Sequence, residues 1–204
     1  MGTVLITHKR LLQVNLISHC VLPGLALAMA LGVDPSIGGV ISGLVGALAA
    51  ESLANKKIEN YEAVMNTILA GSIGLGVLII PILGIRIDLE AVLFGDLLTA
   101  NFIDLQRTFI AFSTFICLIV FNYEKIIHIG LDPEGAIASG IKVDYLNLAL
   151  GFTTALVIVS SMSAVGVILV IALLSTPALL GLVQASSLSI AMVRSSIYGL
   201  VISL

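Results

Sequence analysis

Charge is what this chain has least of. Only 10% of its 204 residues are Asp, Glu, Lys or Arg, against roughly 25% in an ordinary soluble domain. The remainder is mostly apolar: 59% of the chain, about 120 side chains. A soluble domain of this size has too little interior for them, and too few charges to cover its surface. The scarcity excludes a soluble enzyme and a disordered chain. Nine basic residues against twelve acidic ones, with no basic cluster, exclude a nucleic-acid partner. Two cysteines, Cys20 and Cys117, lie in separate apolar runs; they form no disulfide framework and no zinc-knuckle spacing, and read as small buried hydrophobes. The 19 glycines carry no repeat period. No secretory cleavage pattern is present, and no Gly-rich loop ending in Lys-Ser/Thr is available to hold a nucleotide.

A helical, multi-pass membrane protein remains, because in lipid the backbone must satisfy its own hydrogen bonds. Charge-free runs mark the spans against the ~20 residues that cross a bilayer. They are Leu11–Val33, Pro35–Ala50 (reaching Asn55), Ala63–Ile85 and Thr108–Tyr123. Tyr145–Val193 has no formal charge over 49 residues; as one helix it would be ~74 Å long, so it folds back. The expected break is Ser160-Ser161-Met162-Ser163, giving spans near 145–161 and 164–184. The fold class is therefore all-α, a single transmembrane bundle over 1–204 with about six complete spans. Met1–Thr7 and Ser195–Leu204 read as partial spans at each end, as in a chain shortened at both.

Lys and Arg placement sets the orientation. With the amino-terminal end in the cytoplasm, inside segments carry Lys9, Arg10, Lys56, Lys57, Lys125, Lys142 and Arg194, and outside segments carry Arg86 and Arg107. The loop near 124–143 is then cytoplasmic. Within it Asp132 suits a helix N-cap, Pro133 the first helical position, Glu134 the first turn and Gly140 the residue past the end. A short helix near 133–139 is expected, either a connector or a docking element. The loop near 84–107 lies outside and reads as a partly helical or re-entrant cap.

Gly39, Gly43 and Ala47 recur every four residues, a spacing that lets helices approach closely. Asn15 and His19 are the polar pair inside the first long span, one turn apart on one face, with Pro23 a turn further. Intramembrane polar residues are costly. An amide oxygen and a neutral imidazole both ligate transition metals; a hydrogen bond to a neighbouring span is the plainer alternative. An intramembrane protease is a remote reading: no intramembrane Asp pair exists, and Ser42 lacks the glycine that precedes a rhomboid-type nucleophile.

Four segments in order carry a family likeness. Ser18-His19-Cys20-Val21-Leu22-Pro23-Gly24, after Lys9-Arg10, resembles the "DALSHAVLPG" stretch of zinc/manganese-type metal ABC transporter permeases. Leu93–Leu98 resembles their "LFGDIL", Leu131-Asp132-Pro133-Glu134 with Gly140 their "FDPE-A-G" loop, and Val165–Ala178 their "VGVLLVVALLITPA". The resemblance implies a cell (inner) membrane permease subunit of an importer for Mn²⁺ or Zn²⁺, with manganese favoured and no permanently bound cofactor. It implies a second permease subunit, a homodimer, with the ion path between the two. It also implies a cytoplasmic ATP-binding subunit docked on the loop of Asp132, Pro133, Glu134, Ala136 and Gly140, and an extracytoplasmic metal-binding protein. The family's metal-contacting pair falls on His19 and on Asn15, where the family usually has Asp. A permease for an iron chelate or a cobalamin-type cargo is the alternative.

Overall fold

The computed structural model describes residues 1–8, 11–54, 61–84, 95 and 101–203. These residues fold into α1 (Gly2–Thr7), α2 (Leu11–Ala30), α3 (Pro35–Ala54), α4 (Tyr61–Ile82), α5 (Phe102–Leu131), α6 (Pro133–Ala138), α7 (Val143–Val165), α8 (Val167–Val183) and α9 (Leu188–Ile202), with no strand among the described residues. The chain is an all-helical, multi-pass membrane protein. Stretches of α2, α4, α5 and α7 are long and apolar enough to cross a bilayer, and α3, α8 and α9 are shorter apolar helices. At 17 residues α8 sits at the lower limit for a span.

α2 is the central helix, touching α3, α4, α7 and α8. Its Val14 and Ile17 are fully buried with Ala47 of α3, Ala155 and Ile158 of α7 and Val170 of α8. Its Leu16 and Cys20 pack on Ala50 and on Met65 of α4. α4 and α5 are peripheral and mostly uncovered.

The small-residue row of α3 does pack: a Cβ on Gly39 would lie 3.0 Å from Val21, and one on Gly43 3.0 Å from Ile17. The tightest approach of α2 to α3 is one residue off that row, where Gly38 and Gly24 each face the other's carbonyl. Gly38→Ala is therefore expected to destabilise the protein by about 1–3 kcal/mol. Gly71→Ala, in α4 with open space around it, should be neutral or slightly stabilising. Comparing thermal midpoints of the two variants in detergent checks this.

The fold-back of the long apolar run is not at the serines. α7 continues through them and ends at Gly166, whose φ of 78° and ψ of 158° suit glycine alone, and which also starts α8. Ser160 is accommodated within the helix because its hydroxyl donates back to the Val157 carbonyl at 3.1 Å. α5 is also longer than the expected 108–123. It starts at Phe102, where the Asp104 carboxylate accepts the Asn101 N–H at 3.0 Å. It passes a non-helical residue, Asn122 (φ −127°, ψ 19°), and runs on to Leu131. The expected outer cap over 84–107 lies mostly outside the described residues, as do Lys9, Arg10, Lys56, Lys57, Arg86 and most of the Leu93–Leu98 motif.

Two polar ties fix opposite ends of the bundle. At one, Arg107 of α5 donates to Asp34 and, at 2.8 Å, to Ser36, clasping the α2–α3 turn. Nearby, Thr108 donates to the Ser160 carbonyl at 3.1 Å. At the other end, the His8 Nε2 meets the Ile126 carbonyl at 2.9 Å, and α6 packs beneath α1, α5 and α7.

Candidate functional site

α2 is helical from Leu11 to Ala30, so Asn15 and His19 do share a face, with Cβ atoms about 5–6 Å apart. Both are half-buried. The two flanking faces are filled: Val14, Ile17 and Val21 against α3, α7 and α8, and Leu16 and Cys20 against α3 and α4. His19 lies between these two faces. Its Nδ1 is buried and has no hydrogen-bond partner among the described residues. A buried imidazole nitrogen without a partner is unfavourable, and among the described residues this nitrogen makes no hydrogen bond to a neighbouring helix. The nitrogen is left as an unengaged lone pair or N–H, according to tautomer.

The residue next to it is held hard. The Cys20 thiol lies 3.0 Å from the Ser72 hydroxyl of α4, the Ser42 hydroxyl of α3 donates to the Cys20 carbonyl, and Gly46 makes room for the sulfur. These contacts, with the Gly24–Gly38 crossing, fix how α2 is turned and so where the His19 face points. Composition alone marks Ser42 and Ser72 as ordinary small residues; their role depends on which helices meet.

Among the described residues no three of His, Cys, Asp and Glu come together as a metal-binding group. Asn15 and His19 supply two ligands of the four to six that transition metals take. An ion resting on them needs water or groups from another chain.

The second candidate is α6. Asp132 caps it as expected, its side chain accepting the Gly135 N–H at 2.9 Å, and Pro133 opens it. It ends at Ala138, one residue short of the expected 139, with Ser139 as cap. Gly140 follows with φ 78°. Glu134 is exposed. Ala136 is not on the outer face: it is fully buried with Val4, Ile126, Leu146 and Leu150. Ile137, which the motif does not single out, is 63% exposed. An apolar residue held out from a short helix is the better candidate for a docking contact.

The whole chain, residues 1–204, matches the model of the ABC 3 transport family. It is 30% identical over 200 residues to the manganese transport system membrane protein MntC of Listeria monocytogenes, covering 98% of this chain and 71% of that protein. It is 33% identical over 165 residues to the chelated iron transport system membrane protein YfeD of Yersinia pestis, covering 80% and 55%. The solved structure of PsaBC from Streptococcus pneumoniae in complex with Fab superposes with a TM-score of 0.84 at 30% identity, over 97% of this chain and 72% of that one.

Proposed function

The chain belongs to the ABC 3 transport family, and from that premise we propose that it is the permease subunit of an ATP-driven importer of divalent metal ions, manganese before zinc. The observation that carries the site is the buried Nδ1 of His19, unpartnered among the described residues, with Asn15 one turn away in a mostly apolar helix. Such a pair is costly in a bilayer unless it meets water, a partner or an ion. The manganese relative supports the choice of cargo. The iron relative supports the second reading, an iron chelate; a chelate is larger than a bare ion and needs a wider polar path than two side chains on one helical face.

The remaining parts follow from the same reading. Two ligands are too few for an ion, so a second copy of the permease brings its own pair across the path. The end bearing His8 and α6 faces the cytoplasm, as the basic residues require, and a separate ATP-binding subunit docks there on Glu134 and Ile137. The end bearing Asp34 and Arg107 faces outward, toward an extracytoplasmic metal-binding protein.

The orientation is tested by cysteine labelling in a protein lacking Cys20 and Cys117. Asn101→Cys should react with an impermeant reagent from outside, and Asn55→Cys only after the membrane is opened; the reverse pattern inverts the topology. The function is tested by metal uptake in cells with and without the intact gene. Loss of Mn²⁺ or Zn²⁺ accumulation on deletion supports the reading, while unchanged metal uptake with lost iron-chelate uptake favours the second.

A further inference from the structure

α2 carries a proline in its interior, Pro23. In an α-helix each carbonyl accepts from the N–H four residues on. The carbonyl served from position 23 is that of His19, and proline has no N–H to give. The Ser42 hydroxyl of α3 reaches this stretch but donates to the next carbonyl, that of Cys20. Helix geometry puts the His19 carbonyl on the same face as the His19 and Asn15 side chains. Side chains lean toward the helix start and carbonyls point toward its end. The ring thus sits on the Leu11 side of the oxygen that lacks the Pro23 N–H, about one turn, ~5 Å, away, with the Asn15 amide about one turn further.

Two other helix-interior prolines, Pro81 and Pro177, deprive the Val77 and Leu173 carbonyls in the same way. The residues one turn before those carbonyls are Ile73 and Leu169, which offer no ligand. Among the described residues, only at Pro23 does a carbonyl deprived of its N–H stand one turn from metal-ligating side chains. Gly76 of α4 lets the helices close on the proline: a Cβ there would sit 3.0 Å from Leu22 and 3.4 Å from the Pro23 ring.

We infer that the His19 carbonyl oxygen is a ligand for the cation in transit, an oxygen stop adjacent to the imidazole–amide stop, and that Pro23 is the residue that makes it available. The inference rests on the reading of Asn15 and His19 as part of a metal path. It adds a determinant of selectivity. Peptide and amide oxygens suit Mn²⁺, whereas imidazole also suits Zn²⁺. A face with two neutral oxygens and one nitrogen is weighted toward the harder ion.

The test uses the intact permease assembled with its ATP-binding subunit in vesicles, with Mn²⁺ and Zn²⁺ uptake measured singly and in competition. Pro23→Ala supplies the missing N–H and occupies the carbonyl. KM for Mn²⁺ should rise about tenfold, that for Zn²⁺ less than threefold, and the Mn²⁺/Zn²⁺ preference should fall. Pro23→Gly also supplies the N–H but keeps the helix free to bend, so it should behave like Pro23→Ala. An unchanged preference in Pro23→Ala, or a wild-type preference restored in Pro23→Gly, overturns the inference and leaves Pro23 a bend alone. Wild-type vesicles that import neither ion would instead remove the metal-path reading itself, a separate outcome.

Discussion

Replacing His19 with Ala in the intact permease is expected to lower metal uptake by about a hundredfold while leaving the protein folded. The two halves of that expectation come from one fact. The His19 Nδ1 makes no hydrogen bond among the described residues, so truncating the ring breaks no bond at that nitrogen and relieves a buried, unsatisfied polar atom. A structural histidine behaves oppositely, costing stability when its partner is orphaned. Uptake should collapse with a thermal midpoint near that of the wild type. Asn15→Asp should keep transport and tighten the site, since a carboxylate adds charge to the same oxygen geometry. A His19→Ala permease that imports metal at the normal rate returns His19 to helix packing.

The second large effect is expected at α6. Glu134→Lys combined with Ile137→Asp should reduce uptake to background and abolish co-purification of the ATP-binding subunit, with membrane insertion intact. Both residues are exposed, so the change strikes a docking surface and spares the core. Ala136→Leu should act differently. Ala136 has no exposed surface and is enclosed by α1, α5 and α7, so added volume there costs about 1–3 kcal/mol of stability and a lowered thermal midpoint. If the Glu134/Ile137 double variant retains both uptake and the bound ATPase, α6 is a connector.

How much of this was legible in the residues varies with the physics involved. The spans were, because in a bilayer an uninterrupted apolar run has one outcome, a helix. α6 was, because Asp132, Pro133 and Gly140 are each chosen by backbone geometry that acts locally. The fold-back lies at Gly166 and not at Ser160–Ser163, because a serine hydroxyl, though common in loops, can be satisfied by its own helix. α5 outran its charge-free run, since Asp104 and Arg107 act there as a cap and as a tie to Asp34. What pairs across the chain stayed hidden. The Gly24–Gly38 crossing, the hold of Ser42 and Ser72 on Cys20, and the inward face of Ala136 each depend on how separate helices pack together. For the candidate site, the sequence marks Asn15 and His19 as expensive in lipid; it does not reveal whether a neighbouring span meets them, and the unpartnered Nδ1 is what the fold adds.

The most direct measurement is ATP-driven accumulation of labelled Mn²⁺ in sealed vesicles holding the intact permease with its ATP-binding subunit and the metal-binding protein on the outward side. Accumulation that requires ATP on the α6 side, is competed by Zn²⁺ but not by an iron chelate, and is lost in His19→Ala is the predicted result. ATP-dependent uptake of an iron chelate, with no Mn²⁺ or Zn²⁺ transport and no sensitivity to His19, would contradict it.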